Sequence, residues 1–533
     1  MSMAAPERSD LEAPSDDVAE STSSEQLESP PPSRSRRAFV FFGALAAASA
    51  VPSRLRAQVP TRRRPTIPSR PRDAVPTAVP NENVAAPETW ASNSARLVRR
   101  ATMGITRDDL ARANSMGYQG YLMYQLNYER IDDATADAFV ATKYPLLAQS
   151  NDTLFSSDAR TVQNQLIDST IYRAAFSKRQ LYERMVEFWS DHFNIDYDKV
   201  QYLKVIDDRD VIRKHALGKV SNIVKASAKS AAMLVYLDQQ TSNNRAPNQN
   251  YARELMELHT LGVDGGYSQN DVAELSRVLT GWTIQGRGNF IFNPNIHDWG
   301  AKSVLGVNIP AGSPSLGQDG VKEGEMIIDV LLNHPSTARF IATKMLKWLL
   351  TPTPSDAQIQ TIAAVYRSTK GDIKSMVRAI LNDEWLPASP MKLKRPFHFL
   401  VSALRGSAPT VNTLTVMTNQ LVTLGQSLFA WDTPDGYPDR AEYWAGNILP
   451  RWNFAVTLSN LNSTESLAID LAPYRSGTAD NVVDVLDQNF FGGEMDPATR
   501  AALLTYVRGG TLNDTRIRET ISLALSSNGF QWY

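Results

Sequence analysis

Residues 248–262 read Asn248-Gln249-Asn250-Tyr251-Ala252-Arg253-Glu254-Leu255-Met256-Glu257-Leu258-His259-Thr260-Leu261-Gly262, and this stretch decides the fold class. At about 100° per residue, Leu255, Met256, Leu258 and His259 fall on one side, with Tyr251 flanking them. Asn250, Arg253, Glu254 and Glu257 fall in a narrow strip on the other. The period is that of an amphipathic helix, and Gly262 supplies its stop. Working outward, the same period recurs. Leu181, Met185, Phe188, Trp189 and His192 make an apolar stripe, with Arg184, Glu187 and Asp191 opposite it. Two short helices are expected over 94–114 around Gly104-Ile105-Thr106, with Thr106 capping the second ahead of Asp108 and Asp109. Further helices are expected over 271–279, 325–332, 336–350, 373–382 and 394–404. One hairpin is expected over 283–292, turning at Gly286-Arg287-Gly288-Asn289. The expected class is mainly α: a multi-helix globular body with at least one short β-hairpin and long irregular loops. No repeat of fixed period is visible.

This body begins near Trp90 and runs to Tyr533. Three segments precede it. Residues 1–34 are acidic and rich in Ser and Pro, a composition that cannot bury enough surface to fold. Residues 35–50 hold Ser35-Arg36-Arg37-Ala38-Phe39 and an apolar run to Ala50, with Phe41 where a lysine is common. The run is shorter than the roughly 20 residues that span a bilayer, and has the length of a signal h-region. It is similar to a twin-arginine export signal. Ala48-Ser49-Ala50 is the stronger cleavage candidate and Ala57-Gln58 the weaker. Residues 51–89 interleave arginines with prolines and read as an extended linker. These segments predict export by the twin-arginine machinery to the periplasm or beyond, with membrane contact only through the signal.

Composition narrows the function. The 533-residue chain has 42% hydrophobic and 21% charged residues, a formal net charge of -1 and no cysteine. Disulfides, thiolate metal sites and cysteine nucleophiles are therefore excluded, and no global field draws nucleic acid. There is no Gly-rich phosphate loop, Gly-x-Ser-x-Gly elbow or His-Glu-x-x-His helix.

The candidate chemistry lies in three places. Glu254 and Glu257, at i and i+3, can share one hard divalent metal ion, and Arg253 beside them can clamp a carboxylate or an anionic substrate. A solvated charged face is the alternative. His297 and Asp298, in a predicted loop ahead of Lys302, can complete a metal site with Glu254 and Glu257. They can equally act as base and orienter, or simply fix the loop. Trp431 and Tyr437, with Trp444 and Trp452, form an aromatic segment around Pro434, Gly436 and Pro438 that can stack on sugar rings or pack between loops. His192 and His259 read as satisfied core histidines and His334 as a cap. His215 and His398 carry no discriminating signal.

Several blocks in order resemble the bacterial family called domain of unknown function 1800. They are Arg96-Leu97-Val98-Arg99-Arg100-Ala101-Thr102-Met103-Gly104, Glu187-Phe188-Trp189-Ser190-Asp191-His192-Phe193, the 248–262 stretch, Leu279-Thr280-Gly281-Trp282, His297-Asp298, His334-Pro335 and Lys394-Arg395-Pro396. One departure is Gln249, where the family usually has a glutamate. The resemblance implies an exported, mostly helical protein, often encoded beside a sulfatase-like partner, with no agreed activity. Three readings stay open. One is a metal-assisted hydrolase of an envelope or extracellular glycan, with His297, Asp298 and Glu257 catalytic, Glu254, Glu257 and His297 on the metal, and Arg253, Lys302, Trp431 and Tyr437 on the substrate. The others are a non-enzymatic assembly protein working with the sulfatase-like partner, and a polysaccharide-binding protein.

Overall fold

The computed structural model describes residues 90–533 apart from 314, 316–318, 464–465 and 476. The acidic segment 1–34, the twin-arginine segment 35–50 and the linker 51–89 lie outside the described residues. Among the described residues there are 24 α-helices and three two-stranded antiparallel sheets, so the class is mainly α, as expected. None of these helices is long and apolar enough to cross a membrane.

The helices enclose two apolar cores. One is built from residues between Ala95 and Leu386, the other chiefly from 136–176 and 397–530. The helix Gln180–His192 stands in the first core, burying Leu181, Met185, Phe188 and Trp189. Each such side chain contributes about 1.5–3 kcal/mol relative to exposure. Its other side, which carries Arg184, Glu187 and Asp191, is enclosed as well. Arg184 is 1% exposed and Glu187 is also enclosed, because Arg395, at the start of Pro396–Ser407, packs against that face.

The 250–262 helix is shorter than its apolar period. Asn248 caps it by accepting from the amides of Asn250 and Tyr251, and it runs Gln249–Glu257. Beyond that the bonds widen to five residues, His259 N–H to Glu254 O at 3.1 Å and Leu261 N–H to Met256 O at 2.7 Å. Gly262 ends the turn at φ +85, where a Cβ would also meet the Phe340 ring at 2.9 Å. The helix Gln269–Val278 follows, entered through a capping box of Ser268 and Asp271. Thr106 caps Arg107–Leu126 as expected, but that helix continues past a kink at Gly117.

The expected hairpin pairs Trp282–Gln285 with Asn289–Phe292. A second, unexpected one pairs Lys302–Val304 with Val307–Ile309 through Leu305-Gly306, both at positive φ. The ends of the body meet. Residues 392–394 pair with 531–533 through bonds of 2.8–2.9 Å, and the Tyr533 ring lies within reach of the guanidinium groups of Arg100 and Arg184. In the first helix, Arg99 binds Glu494 and the carbonyl of Phe491, while Arg100 binds the carbonyls of Leu350 and Pro390.

Candidate functional site

The loop residues singled out by sequence are committed to the fold. His297 is buried, its Nδ1–H donating to the Thr280 carbonyl at 2.6 Å while Nε2 faces Glu323 at 3.4 Å. Lys302, buried in its strand, binds the same Glu323 oxygen at 2.9 Å. Against the upward push of burial, hydrogen bonds from His297 and Lys302 hold the Glu323 carboxyl low. Asp298 is gripped by Arg277 at 2.7 and 3.2 Å and by the Gly300 amide, which hold its carboxyl below the ordinary range. Arg277 also binds Glu274. His297 and Asp298 therefore do not form a base and its orienter; they fasten a loop to two helices.

The metal set proposed from sequence is not gathered either. Arg253 donates to Gln269, Glu257 accepts from Tyr267 at 3.2 Å, and His297 is engaged by Thr280 and Glu323. Among the described residues no group of three His, Asp or Glu side chains is placed to hold a metal ion. Glu254 is half-buried, and burial together with Glu257 pushes its carboxyl up to about 7.

A cleft of about 270 Å³ assembles different residues. The helix Gln180–His192 contributes Asp191 and His192 from its last turn. Pro335–Leu349 contributes Lys344, Lys347 and Trp348, Arg395 comes from the N-cap of Pro396–Ser407, and the loop 435–440 closes the rim. Gly436 makes that closure possible. Its φ is +75 and a Cβ there would meet the Asp191 carbonyl at 2.2 Å, so only glycine lets the loop press on the helix end. Asn194 pins the same loop through the carbonyls of Trp431 and Thr433, each at 2.8 Å.

Charges in the cleft are unequally paired. Arg395 holds Asp191 at 2.7 Å and also Glu187, lying over the Trp348 ring. Burial nonetheless, with the Glu187 carboxylate adding to it, pushes Asp191 up to about 6 against the pull of Arg395. Asp439 is bound by Lys392. Lys344, Lys347 and Arg440 have no ion pair among the described residues, and burial draws the Lys344 ammonium down to about 8. Asp435 accepts only from Trp431 and Thr433.

His192 and His259 are core histidines, as expected, but not satisfied ones. His192 Nε2–H donates to the His259 carbonyl at 3.2 Å, leaving Nδ1 buried without a partner, as is His259 Nε2. Burial, reinforced by Lys344, lowers both rings, His259 to about 3, so both are neutral. Tyr437 lines the cleft and Trp431 packs against it, the ring centroids 4.8 Å apart and the planes tilted by 49°; Trp444 is buried beside Tyr437, whereas Trp452 lies apart, bonded to Ser526.

The family model described as Protein of unknown function (DUF1800) matches residues 96–532. The chain belongs to the DUF1800 family. No curated protein and no solved structure matches it. In this DUF1800 chain, two of the blocks quoted from sequence line the cleft, through Phe188, Asp191 and His192 and through Arg395, while the 248–262 stretch meets it only through the packing of His259 near His192. Lys344 and Asp435 lie outside every block and were missed. The one sequence signal for Asp435 was its place between Pro434 and Gly436 in the aromatic segment.

Proposed function

We propose that this DUF1800 chain is an exported hydrolase of an acidic glycan, working in the cleft between Asp191, Lys344 and Asp435. The observation that carries this reading is the surplus of positive charge, three unpaired cations against the one unpaired carboxylate of Asp435. A partly desolvated ammonium without a counter-ion is costly unless a ligand supplies the anion. Lys344, Lys347 and Arg440 bind acidic groups of the polymer, and Tyr437 backed by Trp431 offers a face for a sugar ring. Hydrolysis needs one group to protonate the leaving oxygen and another to take a proton from water. Asp191, pushed up by burial, is the donor. Asp435, at the surface with neutral donors around it, is the acceptor.

The test is release of reducing ends from uronate-rich or sulfated polysaccharides, compared with a neutral glucan. Turnover of an acidic polymer is expected, abolished by Asp435→Asn and falling as pH rises through about 6. No turnover and no binding of any acidic polymer would overturn the reading. The export component predicts that Arg36→Lys with Arg37→Lys retains the chain in the cytoplasm, read by fractionation. A second reading, assembly with a sulfatase-like partner, draws support from the exposed apolar row Leu449, Trp452 and Val456 beside Leu523. Native co-purification that is lost in Trp452→Glu tests it.

A further inference from the structure

A second cavity, of about 440 Å³, shares no lining residue with the cleft. One wall is the segment Asp208–Arg213, which winds as a π-helix. Such wide turns are rare and recur at functional sites. Here the five-residue spacing brings Arg213 Nε within 2.8 Å of Asp208, a pair that the tighter α-helical turn would rotate apart. Arg213 Nη1 forks onto Glu183 at 3.0 and 3.1 Å. Its Nη2, equally buried, has no partner.

Arg173, on the helix Ala159–Phe176, lines the same cavity. It is half-buried, and among the described residues its guanidinium makes no hydrogen bond and no ion pair. Burial, and then the neighbouring Arg213, hold it below the ordinary arginine value. The carboxylates nearby are already engaged: Asp208 and Glu183 with Arg213, and Asp137 with Arg179 at 3.1 Å. Arg209, on the rim, is occupied by Asp210 and by the carbonyls of Leu147 and Gln149. An arginine without a counter-ion among the described residues therefore lines the cavity, repelled by a second arginine of the same lining. One anion beside them would neutralise Arg173 and offset its repulsion from Arg213, and planar oxyanions match the guanidinium fork. Val140, Leu147 and Val205 add apolar side chains to the lining. A bare inorganic ion would leave that surface unused.

We infer that this cavity binds a small organic carboxylate, its head beside Arg173 and Arg213 and its hydrocarbon body against Val140, Leu147 and Val205. The test is calorimetric titration of the full chain with hexanoate, hexanol and inorganic phosphate. Saturable binding of hexanoate is expected, with phosphate weaker and hexanol undetected. Arg173→Gln should weaken hexanoate by about tenfold or more, the usual worth of a charge-assisted hydrogen bond. Arg173→Lys, which keeps the charge and loses the fork, should fall between. Because Arg173→Gln removes an unpaired cation and breaks no contact, its thermal midpoint should not drop. Absence of saturable hexanoate binding, equal binding by Arg173→Gln, or phosphate binding as tightly as hexanoate would each overturn the inference.

Discussion

Replacing Lys344 with methionine should make the protein more stable at neutral pH. The ammonium lines the cleft without a carboxylate partner, and burial takes its pKa from 10.5 to about 8. At about 1.36 kcal/mol per unit, that difference of 2.5 (10.5 less 8) corresponds to about 3.4 kcal/mol. Lys344 is half-buried, so solvent screening reduces this to about 1.5 kcal/mol. The sign follows from proton binding. Below pH 8 both the folded and the unfolded chain hold the proton, and the folded state carries the full penalty. Between 8 and 10.5 the unfolded chain binds more protons, so stability rises with pH, and above 10.5 the penalty is gone. Methionine has neither the charge nor the titration. Urea denaturation followed by circular dichroism at pH 7 and pH 9.5 reads the difference, expected as a midpoint shift of at most about 0.5 M. The variant should lead at pH 7 and lose most of that lead at pH 9.5. It should also lose affinity for acidic polymers, since a group kept at a cost to stability is commonly kept for function. A variant less stable than the parent at pH 7, or a gap independent of pH, would refute the argument.

Glu254→Gln tests the opposite sign. The carboxyl is raised from 4.5 to about 7, so its contribution is present below 4.5 and lost as pH rises through 7. Glutamine should stabilise by about 1 kcal/mol at pH 8, after allowance for screening, and by nothing at pH 4. Thermal midpoints at the two values check this. Arg277→Ala leaves Asp298 and Glu274 without their cation and should cost about 2 kcal/mol, with faster amide exchange over 294–302 as the loop comes free. Zinc or manganese titration should move the thermal midpoint of the parent and of Glu254→Gln equally. A metal-induced rise lost only in the variant would reinstate the helix carboxylates as ligands.

Apolar periodicity made the helices legible where it was strong and misled where charges pack on charges. The stripe from Leu181 to His192 placed Gln180–His192 to within a residue. Arg184, Glu187 and Asp191, on the side opposite that stripe, are enclosed because Arg395 pairs with Glu187 and Asp191 across the second face, a contact the helical period does not register. The period through Leu258 and His259 outlasts the helix, since apolar spacing does not register the widening of backbone bonds after Glu257. His297 and Asp298 looked open in a loop. Their partners Thr280, Arg277 and Glu323 stand 17–26 residues away in sequence, and local pattern does not reach that far. Lys344 is one of several polar letters in an amphipathic helix, and nothing local sets it apart from Arg339 or Lys347. Only the approach of Gly436 to Asp191 makes it a neighbour of Asp435.

The clasp between the ends of the body sets a timetable for its making. Arg100 in the first helix lies against the carbonyl of Tyr533, 433 residues further on. A ribosome adding about 5–20 residues per second needs about 20–90 s to deliver that partner. For that interval the Arg100 bond to the Tyr533 carbonyl is unmade, and over its last part the newly made 392–394 segment lies open to solvent and to chaperones. Until residues 531–533 dock, the nascent chain thus holds an unlocked form of the fold.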